Sequence, residues 1–146
     1  MNQFAIDRRH GVLLVTFEGP VSPERLDALD DELKALVFSE GTMPMIIDFT
    51  GVSSVQLDSS ILVTRGKNRS QMTGKPRVFV SNSPLLYGLL RIYGAHQDNT
   101  GEKTPAIVKS LAAAFVKLSL IGPEFEPVEL HPPDTTSPGD VVSRRP

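Results

Sequence analysis

Two hydrophobic periods alternate along residues 3–120. Phe4 and Ile6, then Val12, Leu14 and Phe17, space apolar side chains as short strands do, and Arg8-Arg9-His10-Gly11 between them suits a hairpin turn. After Gly19-Pro20 the pattern changes. Ser22 can cap a helix, Pro23 sits where a first helical residue has no amide bond to lose, and Leu26, Leu29, Leu33, Leu36 and Val37 recur at three- and four-residue steps. That helix has one apolar face and an acidic outer face, and Gly41 ends it. Met45-Ile46-Ile47-Asp48-Phe49 is an almost continuous apolar run, as expected of a central strand buried on both faces, with Ile47 in the core. A second helix is predicted over 59–73, although Gly66, Asn68 and Ser70 weaken it. Residues 77–80 give the next strand. Ser83-Pro84 opens a third helix with Leu86, Leu89, Leu90 and Tyr93 on its apolar side, Leu89 in the core and Gly94 at its close. Ala106-Ile107-Val108 forms a short strand, and Leu111, Ala112, Phe115 and Leu118 mark a last helix. The order ββαβαβαβα predicts a single α/β domain with a mixed, mostly parallel sheet and packed helices, because strands alternating with helices pair in parallel through right-handed crossovers.

Residues 121–146 read differently. Six of the twelve prolines fall there, with five acids against Arg144 and Arg145, so regular hydrogen-bonded structure is disfavoured and little apolar area offsets the entropy of ordering. The division expected is a domain over 1–120 and a disordered or loosely docked tail over 121–146, whose first half Phe125, Val128 and Leu130 could tack onto the body.

Composition narrows the function classes. The 146 residues suffice for one domain and its core, and hydrophobic residues at 40% with charged residues at 22% are ordinary globular values. The absence of Cys excludes a disulfide framework, a thiolate metal site and a cysteine nucleophile. A net charge of −2 gives no global pull toward nucleic acid or anionic membrane, no apolar stretch approaches the roughly 20 residues of a membrane span, and the first ten residues lack a signal core. A cytoplasmic protein that binds neither nucleic acid nor membrane is expected. Charge is nevertheless uneven. Residues 18–40 carry seven acids and two bases, whereas 59–77 carry Arg65, Lys67, Arg69, Lys75 and Arg77 and no acid. These runs read as solvated helix faces or, alternatively, as a dipole whose basic end meets an anion or an acidic partner.

Catalytic signatures are missing. Gly66 to Gly74-Lys75-Pro76 has the wrong spacing for a phosphate loop and Pro where Ser or Thr is required, and no G-x-G-x-x-G or G-x-S-x-G occurs. His10, His96 and His131 fall in a predicted turn, a helix end and the tail, and no pair has metal-ligand spacing, so neither metal nor cofactor is expected. The feature that remains is Val55-Gln56-Leu57-Asp58-Ser59-Ser60-Ile61-Leu62. Asp58, Ser59 and Ser60 can each cap the second helix, and a hydroxyl held at a helix start is also a suitable phosphorylation site, because free amides and the helix dipole favour an anion there.

The strand Met45-Ile46-Ile47-Asp48-Phe49 with Gly51-Val52 after it, and then Asp58-Ser59-Ser60 at a helix start, resemble the STAS domain of bacterial anti-sigma-factor antagonists. Val78-Phe79-Val80 followed by Ser81-Asn82-Ser83-Pro84 and a helix reaching Tyr93-Gly94 is similar too. The likeness spans residues 3–120. It is closer still to small bacterial STAS-like proteins in which a strand leads to S-P-L-x-Y-G-L-x-R-x-Y, a pattern matched from Ser83 to Tyr93. The resemblance implies the STAS fold and a non-enzymatic regulatory role through a protein partner such as a kinase or anti-sigma-type regulator. It also implies that Ser59 is the phosphorylated residue, with Asp58, Ser60, Arg65, Lys67 and Arg69 as the surrounding interaction or anion surface. The antagonists have Gly where this chain has Ile61, and their following helix is less basic. The alternative class is a module of the same fold that binds a small ligand, a nucleotide or an apolar molecule, with Tyr87, Tyr93 and the basic residues lining its site. A large apolar cavity would favour the ligand class, and an exposed Ser59 on a flat surface the regulatory one.

Overall fold

The computed structural model describes residues 2–130. Strand β1 (Gln3–Asp7) runs antiparallel to β2 (Val12–Val21), pairing from Gln3 with Thr16 to Asp7 with Val12. Gly11, at φ 66°, provides the left-handed residue of the turn between them. Helix α1 (Pro23–Glu40) begins as its sequence demands, with the Ser22 hydroxyl accepting the Arg25 amide at 3.2 Å, and Gly41 at φ 83° ends it. Strand β3 (Met45–Val55) lies parallel to β2, and β4 (Arg77–Val80) and β5 (Ala106–Val108) continue the parallel array. Helix α2 (Ser59–Gly66) joins β3 to β4, and α3 (Pro84–Gln97) with a 3-10 turn (Asp98–Thr100) joins β4 to β5. Helix α4 (Leu111–Lys117) and a short strand β6 (Glu126–Pro127) follow. The sheet order is β5-β4-β3-β2-β1-β6, mixed and mostly parallel as expected.

Alternation along β3 builds two cores. Met45, Ile47 and Phe49 face α1 and α3 and pack with Leu29, Leu33, Phe79 and Leu86, while Ile46 faces the other way and joins Val78, Val80 and Ala114 beneath α4. Ile47 and Leu89 are 5% and 7% exposed, so both predicted core positions are buried. No helix among the described residues is long and apolar enough to cross a membrane.

Two helix boundaries differ from expectation. Helix α2 stops at Gly66 rather than continuing to Thr73: the Lys67 and Asn68 amides turn back to the carbonyls of Thr64 (3.3 Å) and Arg65 (3.1 Å), and the buried Gln97 side chain donates to the carbonyls of Gly66 (2.8 Å) and Asn68 (2.6 Å). Gly94 does not close α3, which runs on to Gln97; Gly94 is buried, and a Cβ there would touch Thr104 Cγ2 at 3.4 Å and Pro105 Cδ at 3.7 Å, so its role is close packing. The start of the Pro-rich segment is held in place. Strand β6 pairs with β1, the Val128 amide donates to Phe4 O at 2.8 Å, and Phe125 stacks on Phe115 with centroids 5.9 Å apart. Arg9 donates to the carbonyls of Ile121 and Gly122, and the Glu124 amide to Asp7. His131 and the rest of the predicted tail lie outside the described residues.

Candidate functional site

The corner between β3 and α2 is built by its backbone. The Gln56 amide donates to Val21 O at 2.8 Å, which holds the end of β3 to β2, and Leu57 and Leu62 anchor the turn that follows to the interior. Asp58 is the cap, extended at φ −117° and ψ 172°. One of its oxygens accepts the Ser60 hydroxyl (2.6 Å) and the Ile61 amide (3.1 Å). Those hydrogen bonds, the Ser60 hydroxyl foremost, hold the Asp58 carboxyl below the usual carboxylate range. With Asp58 and Ser60 occupied by each other, Ser59 is left as the first helical residue, exposed and with no hydrogen bond to its hydroxyl among the described residues. Ile61 is half-buried, turned toward a shallow cleft of about 260 Å³ shared with Pro23, Asp27, Ser60 and Arg65, and Ser59 stays uncovered.

The basic residues divide. Arg65 bridges α2 to α1, donating to Asp27 at 3.1 Å and Asp30 at 2.7 Å. The acidic and basic runs thus meet here instead of standing apart at the poles of a dipole. Burial raises the Asp30 carboxyl, against the pull of Arg65. Lys67 and Arg69 lie past the other end of α2, exposed, with Arg69 Nε 3.7 Å from Glu102. The arrangement therefore brings Asp58, Ser59 and Ser60 together at one end of α2, joined along the helix by Arg65, and leaves Lys67 and Arg69 apart. A phosphate on Ser59 would stand at the N-terminal end of α2 beside the Asp58 carboxylate that already caps it, changing the charge of the corner sharply.

A second polar cluster was not foreseen. Arg77, counted from sequence among the solvated bases, is a strand residue only 4% exposed. Its guanidinium donates to the Tyr93 hydroxyl (2.9 Å), to Gln97 Oε1 (2.8 Å) and to Lys103 O (3.0 Å). Tyr93 packs on Phe79, and burial raises its hydroxyl above the usual tyrosine value, so it stays a neutral acceptor. The sequence did hold a signal: Leu86, Leu90, Tyr93 and Gln97 continue one helical stripe past Gly94. Tyr87 is half-buried near Ile107, away from this cluster. Among the described residues no three His, Cys, Asp or Glu side chains come together to hold a metal.

No protein-family profile matches the sequence, and no curated protein is similar to it. Among solved structures the chain is similar to the anti-sigma factor antagonist SpoIIAA in its unphosphorylated form, at 11% identity and a TM-score of 0.52, over 80% of this chain and 96% of that one. At that identity the likeness speaks for the fold, and the fold is STAS-like.

Proposed function

We propose that this chain is a non-enzymatic regulatory module of STAS type that binds a protein partner through the corner at the start of α2 and is switched by phosphorylation of Ser59. The observation that carries the reading is Ser59 itself: an exposed hydroxyl without a hydrogen-bond partner, first in a helix whose cap is already filled by Asp58. The similarity in fold to an anti-sigma factor antagonist supports it, since that protein is described in an unphosphorylated form. The partner is a kinase or anti-sigma-type regulator met in the cytoplasm. Asp58, Ser60 and Arg65 shape the surface it contacts, and Lys67 and Arg69, beyond the far end of α2, stand apart from it. A phosphate acts by adding charge beside Asp58, which an approaching partner must then accommodate or avoid.

The test is partner capture from the native host with wild type, Ser59→Ala and Ser59→Asp proteins. A protein retained by Ser59→Ala and depleted with Ser59→Asp, or the reverse, is the expected result. Identical partner sets for all three leave Ser59 as a helix-start residue with no regulatory role.

A further inference from the structure

Between the sheet and helices α1, α2 and α3 lies a cavity of about 340 Å³. Its lining is mixed: Leu29, Leu33, Ile47, Phe49 and Phe79 form an apolar part, and a polar part of similar extent includes the Arg65–Asp30 pair. It has more than twice the ~150 Å³ of an engineered apolar cavity that takes up benzene. It also falls within the ~300–1,000 Å³ of ligand pockets.

Arg77 lines the same cavity and is in an unusual state for a buried cation. Its three acceptors, the Tyr93 hydroxyl, the Gln97 amide oxygen and the Lys103 carbonyl, are all neutral, and it makes no ion pair among the described residues. Its Nε is buried with no acceptor at all. A buried guanidinium without a counter-ion is costly, and a buried N–H without an acceptor adds to that cost. Of the other cations that line the cavity, Arg65 pairs with Asp27 and Asp30 and Arg69 with Glu102, while Lys34, exposed at the rim, makes no ion pair among the described residues. Arg65, Arg69, Arg77 and Lys34 thus face the carboxylates of Asp27, Asp30 and Glu102, and the site is short of a single negative charge.

We infer that this cavity binds a small amphipathic monoanion, an alkyl or aryl carboxylic acid whose carboxylate meets Arg77 and whose apolar part lies along Leu29, Leu33 and Phe79. One charge fits one surplus cation, and the apolar part of the lining favours an anion that carries a hydrocarbon body over inorganic phosphate. The inference does not depend on Ser59.

Calorimetric titration of the full chain with decanoate, decanol and inorganic phosphate tests it, with amide chemical shifts recorded alongside. Decanoate is expected to bind one to one, at least about tenfold more tightly than decanol, as a hydrogen bond to a charged group implies. Phosphate should not bind. Shifts should concentrate on β3, β4 and α1. Arg77→Gln should lose the preference for decanoate over decanol; should that variant fail to fold, the comparison of the two ligands on the wild type decides alone. Absence of decanoate binding, equal affinity for decanoate and decanol, or shifts confined to residues outside the cavity would overturn the proposal.

Discussion

Single residues decide how closely the elements around α2 can approach. A Cβ on Gly66 would come within 2.6 Å of His96 Cβ and 2.8 Å of the Tyr93 carbonyl oxygen, a backbone atom that cannot turn aside. Gly66→Ala should therefore cost roughly 1–3 kcal/mol in chemical denaturation, as overpacking does. A neutral result would mean that α2 and α3 sit further apart. Ile47, buried between β3 and its helices, should cost about 2–5 kcal/mol when replaced by Ala, and a near-zero effect would put the sheet face in the wrong place. Asp7 reports through pH. Its burial opposes ionisation, but hydrogen bonds from the His10 amide and ring and from the Glu124 amide overcome this and lower its pKa to about 2. A carboxylate depressed in the folded state stabilises it above the unfolded value of about 3.9, and that stabilisation is lost as pH falls through about 2. Asp7→Asn should flatten the loss of stability between about pH 4 and pH 2 relative to wild type; equal slopes would show that Asp7 is not depressed.

At the scale of elements, strands and caps were legible because their causes are local. Ser22 and Ser83 cap where their sequence neighbours predict, and the buried run at Met45 becomes the central β3. What the sequence hid was set by distant partners. The end of α2 is held in place by Gln97, thirty-one positions from Gly66, and the helical role of Gly94 is set by Pro105 packing against it. Strand β6 was hidden for the same reason: two residues, one of them Pro127, form a strand only because β1 offers an edge. Its contribution can be measured by comparing chains ended after Leu130 and after Ile121. The shorter chain loses the Val128 and Glu124 hydrogen bonds, the Phe125 stack and the apolar contacts of Val128 and Leu130, and should melt at least about 5 °C lower. Equal melting temperatures would mean that β6 contributes nothing to the fold.

For the whole molecule, the architecture puts α1, α2 and α3 on one face of the sheet and α4 on the other, so the Ser59 corner and the cavity share a face and the α4 face is separate from both. Of the candidate site, the sequence showed the Asp58-Ser59-Ser60 corner through its capping chemistry. It could not show that Arg65 spends its charge on Asp27 and Asp30, or that Arg77 is interior, because charge runs along a chain carry no information on which face each residue takes. In the proposed function, partners dock at the start of α2. Photo-crosslinking in the native host tests it most directly, with a photoreactive residue at position 59 in one chain and at position 116 in another, Val116 being 79% exposed on α4. A discrete protein adduct from position 59 and none from position 116 is expected; adducts from position 116 alone, or the same adducts from both, would place the docking surface elsewhere.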